Sequence, residues 1–341
     1  MEEEKKTAIY DQLGRPLRDL RISVIDKCNF RCTYCMPKEI FGKDYPFLTR
    51  EELLSFNEIY TVAKVFASLG VEKVRLTGGE PLLRNHLESL IASLFSINGI
   101  NDIALTTNGV LLPKYARALK EAGLDRINLS LDAIEDEVFQ SINDRGVTVS
   151  PVLKGIEAAT EAGLQIKVNM VVKRGMNEDQ IIPMAQYFKH KGHVLRFIEF
   201  MDVGNVNGWN SSAVVPKSEI VDILNEHVPL EPIEPNYYGE VASRFRYMDG
   251  EGEIGIISSV TDHFCDSCTR ARLSADGSLY HCLFASQGYD LKSMLRMGMG
   301  EEELRMEITR RWNLREDQYS ADRSTGKALN HSKVEMSYIG G

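Results

Sequence analysis

The sequence predicts an α/β fold, a partial (β/α)6 barrel with a smaller C-terminal α+β extension, on three observations. The first is a loose internal echo. SLGVEKVRLTGG (68–79), EAGLDRINLSLD (121–132) and EAGLQIKVNMVV (161–172) each end a helix-like stretch at a glycine and run into a short β-rich segment. The second is how many such segments there are. LRISVI (20–25), DIALTTNG (102–109) and LRFIEFM (195–201) bring the candidate strands to six, with candidate helices near 55–69, 84–95, 112–122, 151–162 and 178–190. Largely apolar strands alternating with helices indicate a parallel sheet covered by helices. The third is a change of pattern after the turn-rich GNVNGWN (204–210), beyond which β/α units thin out and short strand candidates such as EIGIISSV (253–260) follow. One unit is therefore expected over 1–210 and an extension packed on it over 211–341, with 315–334 and the closing VEMSYIGG read as a polar tail. Six strands in serial order fit an open barrel better than a closed eightfold one. A doubly wound sheet stays open, because strand order is not written in the sequence.

Composition narrows the class of function. The chain is 43% hydrophobic and 26% charged, the balance of a soluble globular protein. It has no uninterrupted apolar run near the ~18 residues of a membrane span. The opening MEEEKKTAIYDQLGRP is acidic and lacks the apolar core of a secretory signal. A cytoplasmic setting is expected, without membrane attachment. The net charge of -9 argues against a general nucleic-acid binder but allows a local basic pocket for an anionic small molecule.

The 6 cysteines are too sparse for a disulfide scaffold, and in a reducing compartment their thiols stay free for a metal. They fall into two triplets that leave none outside. Cys28, Cys32 and Cys35 follow the first predicted strand, where parallel β/α folds carry their chemistry. Cys265, Cys268 and Cys282 lie in CDSCTRARLSADGSLYHC. Thiolates favour zinc, copper(I) or iron–sulfur clusters. Structural zinc takes four protein ligands, and each triplet supplies three. His263 and His281 beside the second triplet leave a zinc site open there, whereas no histidine is near the first. A [4Fe–4S] cluster on three cysteines keeps one iron free for a substrate or cofactor, and this is the expected occupant of the first triplet.

Basic residues stand where a solvated charge is unusual. Arg270 and Arg272 flank Ala271, so in an extended segment both face one side as a fork. Arg21 and Arg75 lie near the ends of predicted strands, and Lys167 sits inside the apolar IKVNMVV. A charge inside such a strand has to meet a cavity or a partner, because desolving it alone is costly. Several basic groups around one space suit a polyphosphate. No Walker lysine loop is present, so this would be a nucleotide site of another kind.

CxxxCxxC followed by GGEP (78–81) resembles the radical S-adenosylmethionine superfamily. The fuller set LRISVIDKCNFRCTYCMP (20–37), VRLTGGEPLLR (74–84), LTTNG (105–109), NLSLDA (128–133), RFIEFMDVG (196–204), CTRARLSADGSLYHCLF (268–284) and the terminal Gly340 and Gly341 is similar to the GTP-cyclising family of molybdenum-cofactor biosynthesis. The resemblance covers essentially the whole chain. It implies two [4Fe–4S] clusters, on Cys28, Cys32 and Cys35 and on Cys265, Cys268 and Cys282. It implies S-adenosylmethionine as a co-substrate contacted by Tyr34, Gly79, Ser130 and Met201. GTP contacts are implied for Arg21, Arg75, Thr106, Lys167 and the loop Arg270, Ala271 and Arg272, with the guanine base at the second cluster.

The reaction so implied begins with a 5'-deoxyadenosyl radical that removes the C3' hydrogen of GTP. The carbon radical attacks C8, and an electron and a proton complete 3',8-cyclo-7,8-dihydro-GTP. The Gly340–Gly341 end is expected to reach the active site and support turnover. A low-potential flavodoxin- or ferredoxin-like electron donor, a homodimer, and a downstream cyclic pyranopterin monophosphate synthase are implied as partners. Two rivals remain: a radical enzyme with an auxiliary cluster acting on a peptide or protein, and a zinc-stabilised binding or regulatory protein. No residue is singled out as a general base.

Overall fold

The structure, a computed structural model, describes residues 8–324 and 332–340. The six expected strands form as β1 (Asp19–Ser23), β2 (Lys73–Thr77), β3 (Asp102–Thr107), β4 (Arg126–Ser130), β5 (Gln165–Val172) and β6 (Val194–Glu199), each paired in parallel with the next. Helices α1 (Phe56–Ser68), α2 (Leu87–Phe95), α3 (Leu112–Glu121), α4 (Asp136–Asn143), α5 (Val149–Glu161) and α6 (Ile181–Phe188) connect them. The echo in the sequence is the junction α1–Gly70–β2, repeated as α3–Gly123–β4 and α5–Gly163–β5. Each of these glycines has a positive φ, between +76° and +103°, that ends its helix at little steric cost. Ser55 begins α1 with a capping box: the Glu58 amide donates to its hydroxyl, and the Ser55 amide to the Glu58 carboxylate. Of these six helices only α4, short and acidic in its first turn, is absent from the sequence-based expectation.

The C-terminal part does more than pack on this barrel. Its strands are β7 (Leu230–Ile233), β8 (Ser243–Tyr247), β9 (Glu253–Ile257), β10 (Arg270–Leu273), β11 (Ser278–Tyr280) and β12 (Tyr289–Asp290). They join the same sheet at both edges, in the order β12-β11-β10-β1-β2-β3-β4-β5-β6-β9-β8-β7. β10 runs parallel to β1, and β9 runs parallel to β6. The parallel run is thus eight strands long, with antiparallel strands beyond each end, and the sheet passes through residue 210 without interruption. The remaining helices are α7 (Lys217–His227), α8 (Leu291–Arg296), α9 (Glu301–Asn313), α10 (Tyr319–Ser324) and α11 (Met336–Ile339).

The chain end departs from the polar tail read from its composition. Arg315, Ser320, Ser337 and Ile339 are buried. Asp202 gathers the segment, accepting from the Tyr319 hydroxyl at 2.7 Å, from Lys333 Nζ at 2.8 Å and from Arg323. Among the described residues no helix is long and apolar enough to cross a membrane.

Period two sorts the strand residues. Leu20, Ile22, Val74, Leu76, Ile127, Leu129 and Val168 are fully buried against the helices. The alternate positions Arg21, Arg75, Thr106, Asn128 and Lys167 lie on the other face, so the inner wall of the barrel is polar and largely basic.

Candidate active site

The first cysteine loop leaves β1 and is clamped to the turn after β2. The Gly79 amide donates to the Ile25 carbonyl and the Glu80 amide to the Lys27 carbonyl, each at 2.8 Å. A Cβ on Gly78, whose φ is +150°, would overlap the Ile25 carbonyl, and one on Gly79 the Lys27 carbonyl. The two glycines are required by this close approach. On the other side α4 receives the loop, its Asn143 and Ile142 carbonyls accepting from the Arg31 and Thr33 amides at 3.0 Å. Arg31 spends its guanidinium on the Cys28, Phe30 and Phe41 carbonyls.

The second triplet is carried by the sheet edge. Cys265 and Cys268 lie in the turn before β10, the Cys268 amide donating to the Cys265 carbonyl at 3.1 Å, and Cys282 follows β11. Arg270 and Arg272 face one side, as their spacing predicts, while Ala271 faces away and is fully buried. Behind the turn lies a buried network that the sequence did not reveal. Arg15 Nη1 donates to the Cys265 and Asp317 carbonyls at 2.9 Å, and Arg315 Nη1 to the Cys268 carbonyl at 2.8 Å. Asp11 links the two guanidiniums.

Both triplets open on one cavity of about 300 Å³ inside the barrel. Its wall includes Tyr34, Gly79, Ser130 and Met201 near the first triplet's strand ends, and Arg21, Arg75, Thr106, Arg270 and Arg272 on β-strands. Lys167 is on neither this wall nor that of a neighbouring cavity of about 40 Å³, which Lys73, Arg126 and Tyr237 help to line. Gly340 meets two wall residues: its carbonyl accepts from Arg272 Nη1, and a Cβ added to it would overlap the Thr77 side chain. Gly341 lies outside the described residues.

Electrostatics mark the cavity as an anion site. Burial, then Arg75, Arg272 and Arg270, depress Arg21. Burial, then Arg126 and Arg196, bring Arg75 to about 10, and burial with Arg270 brings Arg272 to about 9. Burial, then Arg196 and Arg126, lower Lys167 to about 8. Guanidiniums keep their protons at neutral pH, so the depression records burial first and the mutual repulsion of neighbouring cations second. Thr106 Oγ1, Asn169 Oδ1 and both amide atoms of Asn128 are buried without a partner, as polar groups that await a ligand would be.

Four further groups escaped the sequence reading. Glu80, on the wall, accepts from Thr107, Asn108 and Leu82, and burial lifts it to about 7. Asp132, lifted by burial to about 6, accepts from the Tyr34 hydroxyl at 2.7 Å and so fixes that ring. Arg196 stands on the same wall, and Arg126, paired with Asp102 at 2.7 Å, lines the small neighbouring cavity. Their strand positions, alternate to the apolar ones, were the only available signal.

The donor sets suit iron–sulfur clusters. All six thiols are free and partly accessible. Among the described residues no three His, Cys, Asp or Glu side chains are grouped as a single metal ion requires. Burial pushes Cys28 to about 11 and Cys35 and Cys282 to about 12. Burial would raise Cys268 too, but Arg270 and Arg315 bring it down to about 6. His281 stands on the wall, and burial, with a loss to about 4, keeps its imidazole neutral.

Residues 22–188 match the family model of the radical SAM superfamily, and residues 193–321 that of Molybdenum Cofactor Synthesis C. The chain is 53% identical over 339 residues to a GTP 3',8-cyclase of Staphylococcus epidermidis, covering 98% of this chain and 100% of that protein. It is 54% identical over 336 residues to a GTP 3',8-cyclase of Staphylococcus haemolyticus, covering 98% and 99%. Among solved structures, Streptococcus suis SuiB bound to S-adenosylmethionine is similar with a TM-score of 0.60 at 14% identity, over 86% of this chain and 68% of that one. Native anSMEcpe with bound AdoMet and Cp18Cys peptide is similar with a TM-score of 0.54 at 20% identity, over 84% of this chain and 82% of that one. Likeness at such identities concerns the fold.

Proposed function

The chain belongs to the GTP 3',8-cyclase family of radical SAM enzymes, and from that premise we propose how its residues divide the cyclisation of GTP between them. The observation that carries the reading is a single cavity with a cysteine triplet at each end of a basic wall. Cys28, Cys32 and Cys35 would hold one [4Fe–4S] cluster, and Cys265, Cys268 and Cys282 the other. When bound, the first supplies the electron that divides S-adenosylmethionine into methionine and a 5'-deoxyadenosyl radical.

The chain's own part is to bind and orient. Gly79 brings backbone to the methionyl end of S-adenosylmethionine, Tyr34 is held by Asp132 beside the adenine, and Ser130 and Met201 complete that side. Arg21, Arg75, Arg270 and Arg272 neutralise the triphosphate, Lys167 adds charge beside Arg126 and Arg196, and Thr106 offers its unpartnered hydroxyl. With the guanine base turned to the second triplet, the ribose lies between the two ends. Proximity then selects the C3' hydrogen. The C3' radical closes on C8, and an electron and a proton complete the product, which a cyclic pyranopterin monophosphate synthase would consume. Arg272 holds Gly340 against this site, in keeping with a supporting role for the Gly340–Gly341 end. A low-potential flavodoxin- or ferredoxin-type donor, a homodimer and a cytoplasmic location belong to the same reading.

The test is anaerobic reconstitution and dithionite reduction, with S-adenosylmethionine and GTP deuterated at C3'. Deuterium is expected in 5'-deoxyadenosine. Cleavage of S-adenosylmethionine that is indifferent to GTP, in protein with both clusters full, would remove GTP as the substrate.

A further inference from the structure

We propose that Arg15 and Arg315 are positioning residues for the second cluster: they fix its cysteine turn and supply hydrogen-bond donors to its sulfur atoms, so that it accepts an electron more readily than the cluster at Cys28, Cys32 and Cys35. The inference rests on the reading that each triplet holds a [4Fe–4S] cluster. A cluster gains one negative charge on reduction, and its potential follows the charge and hydrogen bonds around its sulfurs.

The two triplets differ in both respects. At the second, Arg315 Nη2 lies 3.1 Å from Cys268 Sγ, and Arg270 also hydrogen-bonds this sulfur. Arg15 is 0% exposed, and three of its contacts are accounted for: Nε to Asp11 at 2.6 Å and Nη1 to the Cys265 and Asp317 carbonyls. Its Nη2 is buried without a partner, yet Arg15 forms part of the cavity wall. A guanidinium N–H left open in so enclosed a place needs an acceptor that the protein does not provide, and a cluster sulfur is one.

These groups cannot drift. Asp11 bridges both guanidiniums, Asp317 takes Arg315 Nε at 3.0 Å, Trp312 lies under Arg315 at 4.6 Å and donates its indole N–H to the Arg15 carbonyl at 3.2 Å. At the first triplet the donors are few. The Phe30 amide stands 3.4 Å from Cys28 Sγ, while Arg31 is turned to carbonyls. The charged neighbours there include the carboxyl groups of Glu80 at Cys28 and Asp132 at Cys32, with Arg31 set against them at Cys28, whereas at the second triplet Asp317 faces Cys282 but Arg270 and Arg315 both hold Cys268. On balance the sulfur donors and guanidiniums favour added negative charge at the second triplet more than at the first.

The test uses full-length protein, reconstituted anaerobically without S-adenosylmethionine or GTP. One form carries Cys28→Ala, Cys32→Ala and Cys35→Ala, and another Cys265→Ala, Cys268→Ala and Cys282→Ala. Iron and sulfide are counted, and the reduced cluster is followed by electron paramagnetic resonance through a redox titration. The form keeping the second triplet is expected to be the more reduced at any given potential. Adding Arg315→Met to it should lower the reduced-to-oxidised ratio at the parent midpoint about tenfold, or ~59 mV for a one-electron couple. Arg315→Lys should restore part of the loss. An equal or reversed order of the two clusters overturns the inference, and so does an unchanged ratio in an iron-replete Arg315→Met. A second triplet that takes up zinc, or no iron and sulfide, instead overturns the cluster reading beneath it.

Discussion

Glu80 shows how far a single carboxyl can be bent by its surroundings. It is 1% exposed and accepts from Thr107 Oγ1 at 2.7 Å, from the Asn108 amide at 2.9 Å and from the Leu82 amide at 3.0 Å. Those donors favour the carboxylate, but burial outweighs them and lifts the group from 4.5 to about 7. A carboxyl that binds its proton more tightly when folded lends stability in full below its unfolded value. That stability is lost as pH rises through the folded one. The cofactor-free protein should therefore lose about 3 kcal/mol from this group as pH rises from its unfolded to its folded value. Urea unfolding at pH 5 and at pH 7.5 measures it, and Glu80→Gln is expected to flatten the difference. An unchanged slope in the variant would place the titrating group elsewhere.

At the scale of the element, β5 and the chain end each carry a charge-dependent role. β5 alternates buried apolar with inward polar residues and places Lys167 beside Arg126 and Arg196, where burial and these two cations lower its ammonium to about 8. Lys167 is charged below that value and neutral above it, so triphosphate binding should weaken as pH rises through 8. The expected rise in KM for GTP is about threefold, the loss of one positive charge that stands off the cavity wall and acts without direct contact. Lys167→Arg, which stays protonated, should hold KM level across the same range. At the chain end, Gly340 follows α11 with φ +73° and abuts Thr77 while Arg272 grips its carbonyl. Gly340→Ala adds a methyl that overlaps the Thr77 side chain, on a backbone that L residues resist by about 1–2 kcal/mol. A fall of about tenfold in kcat/KM is expected, with S-adenosylmethionine binding preserved by equilibrium titration. Unaltered turnover would mean that the Arg272–Gly340 contact is idle.

Across the whole molecule, the site exists because distant parts of the chain meet at one sheet edge. Trp312 of α9, 1% exposed, lies under Arg315 and donates to the Arg15 carbonyl, so one ring joins the first residues described to the second triplet. Trp312→Ala should cost about 3–5 kcal/mol in urea unfolding of the cofactor-free protein and reduce iron uptake at Cys265, Cys268 and Cys282 while sparing the first triplet. Much of this protein was legible from local pattern. Six strands, the glycine junctions, both thiol triplets and the same-sided Arg270 and Arg272 follow from spacing and period two, which are properties of neighbouring residues. The grouping of both triplets around one cavity is not such a property, and neither is the insertion of β9 and β10 at opposite edges of the sheet. In the sequence Arg15 lies in the acidic opening stretch and Arg315 in the stretch read as a polar tail, and neither is singled out. They became buried clamps only because Asp11, the Cys265 and Cys268 carbonyls and Trp312 converge on them across the fold. Sequence determined what each segment can become and which chemistry its side chains offer. Tertiary structure decided which charges lose their water, since desolvation depends on neighbours brought together from remote parts of the chain.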